Sequence, residues 1–185
     1  MKKNINLKRI GGYLIGAFVI SFFITRTASA GFFQLQKDHT KDEKFVIKAL
    51  ESGMKEAQSG SWASENAVSY EVKEFGRKMM NDHRKANEEL KALAQKNGYS
   101  VNHLDTAGMS MDIKKMAELN NSDIDRKFMK QMIKDHEKVI KMFEKETEQG
   151  TDPEIRRWAE NTLPTLREHL THARAIHNRL MAAKK

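Results

Sequence analysis

Residues 75–85, FGRKMMNDHRK, and residues 128–138, FMKQMIKDHEK, are two copies of one pattern. Both copies have Phe, Met, Asp-His and Lys at the same positions, and the second copy lies 53 residues after the first. In each copy Phe, Met and His are spaced four residues apart, which places them on one face of an α-helix. Because Phe and Met make that face apolar, the pattern predicts two helices that each direct a histidine, His83 or His136, into the core.

Apolar residues recur at helical spacing in four segments, and the two copies of the pattern lie in the second and third of them. The first helix is predicted over residues 42–66 and the second over residues 69–96. The third begins behind Ser122 and stops at Gly150, and the fourth begins at Pro153, a residue favoured at the first helical position. The predicted fold class is therefore all-α, a ferritin-like four-helix bundle.

Residues 99–121 form a long connection between the second and third helices. A connection of this length can return along the whole bundle, which is the single-crossover arrangement of ferritin-like bundles. Within it, residues 111–119 are predicted to form a short helix. The bundle domain is predicted to span residues 42–180, between a flexible lead-in at 31–41 and a frayed tail at 181–185.

The first 30 residues have the features of a secretory signal peptide. Lysines and arginines precede an apolar run at residues 11–24, and Ala28-Ser29-Ala30 offers a cleavage site between small residues. The run is shorter than the roughly 20 residues of a membrane-spanning helix, although an uncleaved anchor remains an alternative. The sequence therefore predicts export to the periplasm or cell envelope, with no stable membrane span after cleavage.

The net charge of the chain is concentrated in the predicted signal. The chain has a formal net charge of +8, but five basic residues and no acidic ones lie in residues 1–30, which leaves about +3 for the remainder. Basic and acidic residues alternate along the predicted helices, as on a solvated surface. These features argue against nucleic acid as a partner. The chain has no cysteine, so disulfides and thiolate metal sites are excluded.

One polar residue lies on the inner face of each predicted helix, at about the middle of its length. These residues are Glu56, His83, His136 and His169. Because a helix rises about 1.5 Å per residue, all four are expected at one level of the bundle, whichever way each helix runs. One carboxylate and three neutral imidazoles could bind a divalent metal such as zinc, iron or copper.

Three further residues are candidates for contacts around such a site. Asp82 and Asp135 each precede a histidine of the layer and point about 100° away from it around their own helix. They could reach a histidine of a neighbouring helix and orient it, as carboxylates do beside metal-bound imidazoles. His172 lies one turn beyond His169 and could line the same cavity.

The same layer has a second interpretation that needs no metal. Buried Asp and His side chains can satisfy one another across helices, and such a network fixes the register of the helices. The protein would then be a non-enzymatic envelope interaction or stress protein that functions through its helical surface. Both interpretations stay open at the level of sequence.

With these residues identified, the chain resembles the exported bacterial family of ferritin-like fold known as domain of unknown function 4142. The resemblance is carried by residues 72–83, residues 128–136 and residues 163–170, LPTLREHL, and extends over roughly residues 45–177. It implies a four-helix bundle located in the periplasm or outer envelope. It brings no established activity.

The pattern differs from that of di-iron ferritins, which use Glu-x-x-His pairs. The residues three positions before the layer histidines are Met80, Ile133 and Leu166. Too few carboxylates face the core to neutralise two iron ions, so a di-iron ferroxidase is not expected. The sequence also has no Gly-rich phosphate loop or nucleophile elbow, and it favours a protein that is not an enzyme.

Overall fold

The computed structural model describes the backbone of residues 26–102, 104, 105, 118 and 121–183, with side chains from residue 41 onward except residues 121 and 122. Four α-helices account for most of this part of the chain. They are α1 (Arg26–Asn66), α2 (Tyr70–Lys96), α3 (Asn121–Gln149) and α4 (Pro153–Ala182). No strand occurs among the described residues, so the predicted all-α class is confirmed.

Two predicted segments fall outside the part of the chain that the structure describes. These are the apolar run of the predicted signal, residues 11–24, and the predicted short helix at 111–119, of which only Glu118 is described. None of the helices in the described ranges is long and apolar enough to cross a membrane.

Helix α1 begins earlier than the sequence pattern predicts. It starts at Arg26, so residues 31–41, predicted to be a flexible lead-in, are helical. The segment has no apolar periodicity, but it also has no proline, and extending an existing helix costs far less than nucleating one. Periodicity indicates that one face of a helix is buried, so it does not detect a helical segment whose sequence has no apolar face.

Contacts between the helices define the direction of each one. Lys55 of α1 forms an ion pair with Asp135 of α3. Asp42, which precedes Lys55 in α1, accepts a hydrogen bond from the backbone N–H of Thr151, just after the end of α3. Helices α1 and α3 are therefore antiparallel. Ion pairs between Glu71 and Arg179, and between Lys96 and Glu154, likewise make α2 and α4 antiparallel.

The remaining helix pairs complete the bundle. Arg167 and Arg174 of α4 bind Glu144 and Glu137 of α3, so these two helices also run antiparallel. Since α1 and α2 are joined by a short turn, α2 and α3 run parallel and need a connection that returns along the bundle. This is the single-crossover topology that the long connection predicts.

The apolar residues form two hydrophobic clusters, separated along every helix by the polar layer. One cluster includes Phe45, Leu90 and Phe143, and the other includes Phe75 and Phe128. Aromatic rings meet edge to face in both, with centroids 5.1 Å apart for Phe45 and Phe143 and 6.3 Å apart for Phe75 and Phe128. The layer residues therefore lie between two apolar masses, which keep them from water.

Two glycines bring α1 and α2 into backbone contact just beyond the polar layer. A Cβ atom on Gly60 would lie 2.6 Å from the carbonyl oxygen of Gly76, and the reverse holds for Gly76. Only glycine permits this approach, which accounts for a residue that is unfavourable inside a helix.

Aspartates form hydrogen bonds with backbone N–H groups at both ends of the bundle. Asp152 caps α4 by accepting hydrogen bonds from the backbone N–H groups of Glu154 and Ile155, as expected before Pro153. At the opposite end, Asp125 of α3 accepts hydrogen bonds from the backbone N–H groups of Val68 and Ser69 at the start of α2. The hydrogen bonds of Asp125 fix the position of the start of α2 relative to α3.

Candidate functional site

The structure brings the four inward polar residues together at one level of the bundle. The exposed fractions of their side chains and backbone are 1% for Glu56, 5% for His83, and 0% for both His136 and His169. Each helix contributes one of them. A charged or polar group buried this deeply is costly unless it has a partner.

The three imidazoles form a nearly equilateral triangle. The ring centroid of His83 is 5.7 Å from that of His136 and 5.3 Å from that of His169, and the other two centroids are 5.4 Å apart. One ring nitrogen of each histidine lies within 4.8 Å of one ring nitrogen of the others. The three histidines therefore present nitrogen atoms to a common point.

Glu56 lies beside two of these histidines without forming a hydrogen bond. Its Oε2 atom is 3.6 Å from Nε2 of His83, and its Oε1 atom is 3.4 Å from Nδ1 of His136. Both oxygens are buried and have no hydrogen-bond partner. The distances exceed those of normal N–H···O hydrogen bonds, so the carboxyl group is close to the imidazoles but unsatisfied by them.

Two of the imidazoles are oriented by acceptors outside the layer. Nδ1 of His136 donates to the backbone carbonyl of Met132 at 2.9 Å, and Nε2 of His169 donates to the Asp82 carboxylate at 2.8 Å. Because both acceptors lack protons, these nitrogens carry the hydrogen, and the opposite ring nitrogens keep their lone pairs. Those opposite nitrogens, Nε2 of His136 and Nδ1 of His169, are buried and have no partner.

Burial keeps the imidazoles neutral. It lowers the pKa of His83 to about 3, with help from the other two histidines, and it lowers the pKa of His136 to about 4. Burial also lowers the pKa of His169, although the hydrogen bond with Asp82 opposes the change. A neutral imidazole is the form that binds a metal, so no proton has to be removed from these rings at neutral pH.

The Glu56 carboxyl group is shifted in the opposite direction. Burial raises its pKa to about 8, the negative charge of Asp135 adds to this shift, and the ammonium group of Lys55 opposes it. Without a cation nearby, Glu56 is protonated at neutral pH. A metal ion would favour its ionised form.

Of the three residues predicted to lie around the layer, one contacts a layer histidine and two do not. Asp82 reaches His169 on a neighbouring helix. Asp135 contacts no histidine of the layer among the described residues, because its carboxylate accepts a hydrogen bond from Gln131 and lies 3.8 Å from Lys55. His172 is exposed and lines a surface pocket instead of the predicted cavity.

Two contributors to the site were not anticipated from the sequence. Lys78 donates to the Asp82 carboxylate at 2.9 Å, one turn earlier on α2, and the carbonyl of Met132 fixes the ring of His136. Burial alone would raise the pKa of Asp82, but the hydrogen bonds from Lys78 and His169 outweigh it and lower that pKa. In the sequence, the i,i+4 spacing of Lys78 and Asp82 is the feature that indicates their contact.

The arrangement is suited to a single divalent ion. If the three histidine nitrogens are each 4.8 Å apart, the point equidistant from them lies about 2.8 Å from each nitrogen. Shortening each of these distances by less than about 1 Å gives the normal zinc–nitrogen distance. A cavity of about 10 Å³, near the space that one water molecule needs, borders both Glu56 and His83. Of the three histidines, His83 is the one that lines this space.

Fold and site together define the class of protein: an all-α, single-crossover four-helix bundle with a buried triangle of histidines between two apolar clusters. Within that class, the chain belongs to the family described as Domain of unknown function (DUF4142), whose model matches residues 27–176. The family resemblance inferred from the sequence is thereby confirmed.

One solved structure supports the fold independently. It is described as the crystal structure of a DUF305 fragment from Deinococcus radiodurans, and it is similar with a TM-score of 0.66 and 15% sequence identity. The match covers 75% of this chain and 95% of that chain. At this identity the likeness concerns the fold alone. No curated protein matches the sequence.

Proposed function

We propose that the protein binds one divalent transition-metal ion through His83, His136 and His169, with Glu56 as an additional oxygen donor. The observation that carries this proposal is the group of three buried histidines, in which one ring nitrogen of each lies within 4.8 Å of one ring nitrogen of the others. Both oxygens of Glu56 and one nitrogen of each histidine are buried without a hydrogen bond. Each such atom costs about 1–3 kcal/mol when it stays unsatisfied. One bound cation would satisfy the three histidine nitrogens together.

The surroundings of the three histidines support the same proposal. Metal-binding histidines usually donate their second N–H to a carboxylate or a backbone carbonyl, which fixes the ring and its tautomer. Asp82 and the carbonyl of Met132 provide these acceptors for His169 and His136. The nitrogens left over are those that a metal would need.

The metal-free network is the competing proposal, and the distances disfavour it. In such a network the layer residues would hydrogen-bond one another across the helices. Instead, Glu56 stays 3.4 Å or more from the nearest imidazole nitrogens, and its oxygens have no hydrogen-bond partner. Only the bond between Asp82 and His169 has the geometry that a network requires.

The donor atoms restrict the kind of metal. Imidazole nitrogen and carboxylate oxygen suit zinc, iron and copper, whereas magnesium and calcium prefer oxygen ligands. One carboxylate at the layer is too few for a di-iron centre. We therefore propose a mononuclear site.

We also propose that the protein is exported and works in the periplasm or cell envelope. Support for this location comes from the predicted signal peptide, residues 1–30.

Elemental analysis of protein purified without a histidine tag tests the proposed metal site. After incubation with Zn²⁺ and removal of unbound ions, the protein is expected to retain about one ion per chain. The double variant His83→Ala/His136→Ala should retain none. His172→Ala is the matched control, because this exposed histidine lies outside the layer, and it should keep the full amount. Stoichiometric metal in the double variant would refute the assigned ligands.

A further inference from the structure

A cleft between α1 and α3 connects the surface with the polar layer. Its volume is about 600 Å³, and its wall includes Glu56 and Asp135. Lys55 also lines it, and lysines 48, 138 and 145 stand at its rim. Glu56 is thus both a member of the buried layer and part of the wall of a surface cleft.

An ion cannot reach the layer without passing through the protein. The three histidines are between 0% and 5% exposed, and apolar clusters cover the layer above and below. Helices α1 and α2 are in backbone contact at Gly60 and Gly76, which closes that side near the layer. Among the described residues, the cleft therefore extends from solvent to a residue of the layer, Glu56, whose carboxyl oxygens are buried.

Asp135 lines this cleft together with Glu56. Its Oδ1 atom accepts a hydrogen bond from Gln131 at 2.8 Å, whereas its Oδ2 atom is buried and has no hydrogen-bond partner. The ammonium group of Lys55 lies 3.8 Å from Oδ2, which is an ion pair without a hydrogen bond. Oδ2 is therefore paired with Lys55 by charge alone and accepts no hydrogen bond.

We propose that Asp135 and Glu56 form a transit site for a divalent cation in the α1–α3 cleft, from which the ion passes to the three histidines. This inference rests on the proposed function of the histidine layer. In the absence of the ion, the ammonium group of Lys55 supplies positive charge beside Asp135. An arriving divalent ion takes over that role, because it carries twice the charge, and Lys55 withdraws toward solvent.

The lysines at the rim do not contradict a cation as the ligand. Lys48, Lys138 and Lys145 are exposed, so solvent and salt screen their charges more than they screen the charge of a buried group. Asp135 acts at a site where its Oδ2 atom is buried, and there the same charge has a larger effect. The inner end of the cleft therefore favours a cation.

The rate of metal uptake tests this inference separately from the existence of the metal site. Stopped-flow mixing of metal-free protein with Co²⁺, followed by its visible absorption, gives the rate, and elemental analysis gives the final stoichiometry. Asp135→Asn should slow uptake about tenfold, since it removes the attracting charge, and should leave the final stoichiometry unchanged. Lys55→Gln should accelerate uptake several-fold, since Asp135 is then unopposed.

Two matched variants control for general charge effects. Glu137→Gln removes one negative charge from α3 on the face that pairs with Arg174, and Lys141→Gln removes one positive charge from α3 outside the cleft. Both should take up Co²⁺ at the rate of the unmodified protein. Equal rates for Asp135→Asn and Glu137→Gln would overturn the transit site while leaving the histidine site intact.

Two other outcomes also overturn the inference. If Asp135→Asn lowers the final stoichiometry, Asp135 is a permanent ligand and not a transit ligand. If the unmodified protein binds no Co²⁺ and no Zn²⁺, the transit site falls together with the proposed function.

Discussion

Asp82 of α2 accepts a hydrogen bond of 2.8 Å from Nε2 of His169 of α4, and so fixes the ring of a buried histidine from the outside of the bundle. The Asp82 carboxylate is itself held by Lys78, one turn earlier on α2. The chain Lys78–Asp82–His169 therefore leads from the surface to the buried layer. It leaves Nδ1 of His169 as the ring nitrogen that is buried and has no hydrogen-bond partner.

From this chain we predict that Asp82→Asn weakens metal binding by about 10–100-fold without abolishing it. The amide can still contact His169, but it no longer stabilises the positive charge that the imidazole shares with a metal. Competition with a chelator of known affinity gives the dissociation constant. Glu168→Gln is the control, because Glu168 also lies near Lys78, at 3.5 Å, but is exposed. An unchanged affinity in Asp82→Asn would show that Asp82 has no part in orienting the ligand.

The contact of Gly60 with Gly76 leads to a prediction about stability. Gly60→Ala would gain helix propensity, yet its Cβ would lie 2.6 Å from a backbone carbonyl that cannot move aside. We expect a net loss of about 1–3 kcal/mol in the free energy of unfolding, measured with urea. In Gly53→Ala the new Cβ meets the end of the Asn87 side chain, which can rotate away, so the loss should be clearly smaller. Equal losses would mean that α1 and α2 separate easily.

A buried carboxyl group away from the metal site predicts a pH dependence. Burial raises the pKa of Glu146 to about 7, and the nearby charge of Asp42 and a hydrogen bond with it contribute further. The pKa is higher in the folded than in the unfolded chain. The stabilisation that protonated Glu146 provides is therefore complete below about pH 4.5 and is lost as the pH rises through about 7.

Glu146→Gln isolates this effect. The glutamine amide can still donate to Asp42, but it does not titrate. Between pH 5 and pH 8 the unmodified protein should lose about 1–2 kcal/mol more stability than the variant, after allowance for partial solvent screening. Urea unfolding at the two pH values measures the difference. Parallel losses in the two proteins would show that another group is responsible.

The sequence predicted the layer because its signal is geometric. Spacings of four residues place His83 and His136 on apolar stripes, and a common distance from the helix ends predicts a common height. Rotation of about 100° per residue also placed Asp82 where it could reach a neighbouring helix. In the structure Asp82 does contact the neighbouring helix, although nothing in the sequence specified His169 as its partner.

Other features depend on which surface a neighbouring helix covers, and periodicity does not report this. His172 follows His169 by three residues, but the buried stripe of α4 continues at Ala173, so His172 faces solvent. Asp135 repeats the position of Asp82 in the pattern, yet its neighbour on the adjacent helix is Lys55 and not a histidine. Two copies of one sequence pattern thus acquired different partners because different helices stand beside them.

The last prediction separates a metal site from a metal-free network by thermal stability. If the layer binds Zn²⁺, a free concentration 100-fold above the dissociation constant should stabilise the protein by about 2.7 kcal/mol, and a chelator should reverse the effect. In His169→Ala this response should disappear, because one of the three nitrogens is lost, whereas His172→Ala should respond like the unmodified protein. A network without metal predicts something different: the unmodified protein should melt at one temperature with Zn²⁺ or chelator, and His169→Ala should be destabilised equally in both. Calorimetry of the three proteins under the two conditions therefore decides between the interpretations.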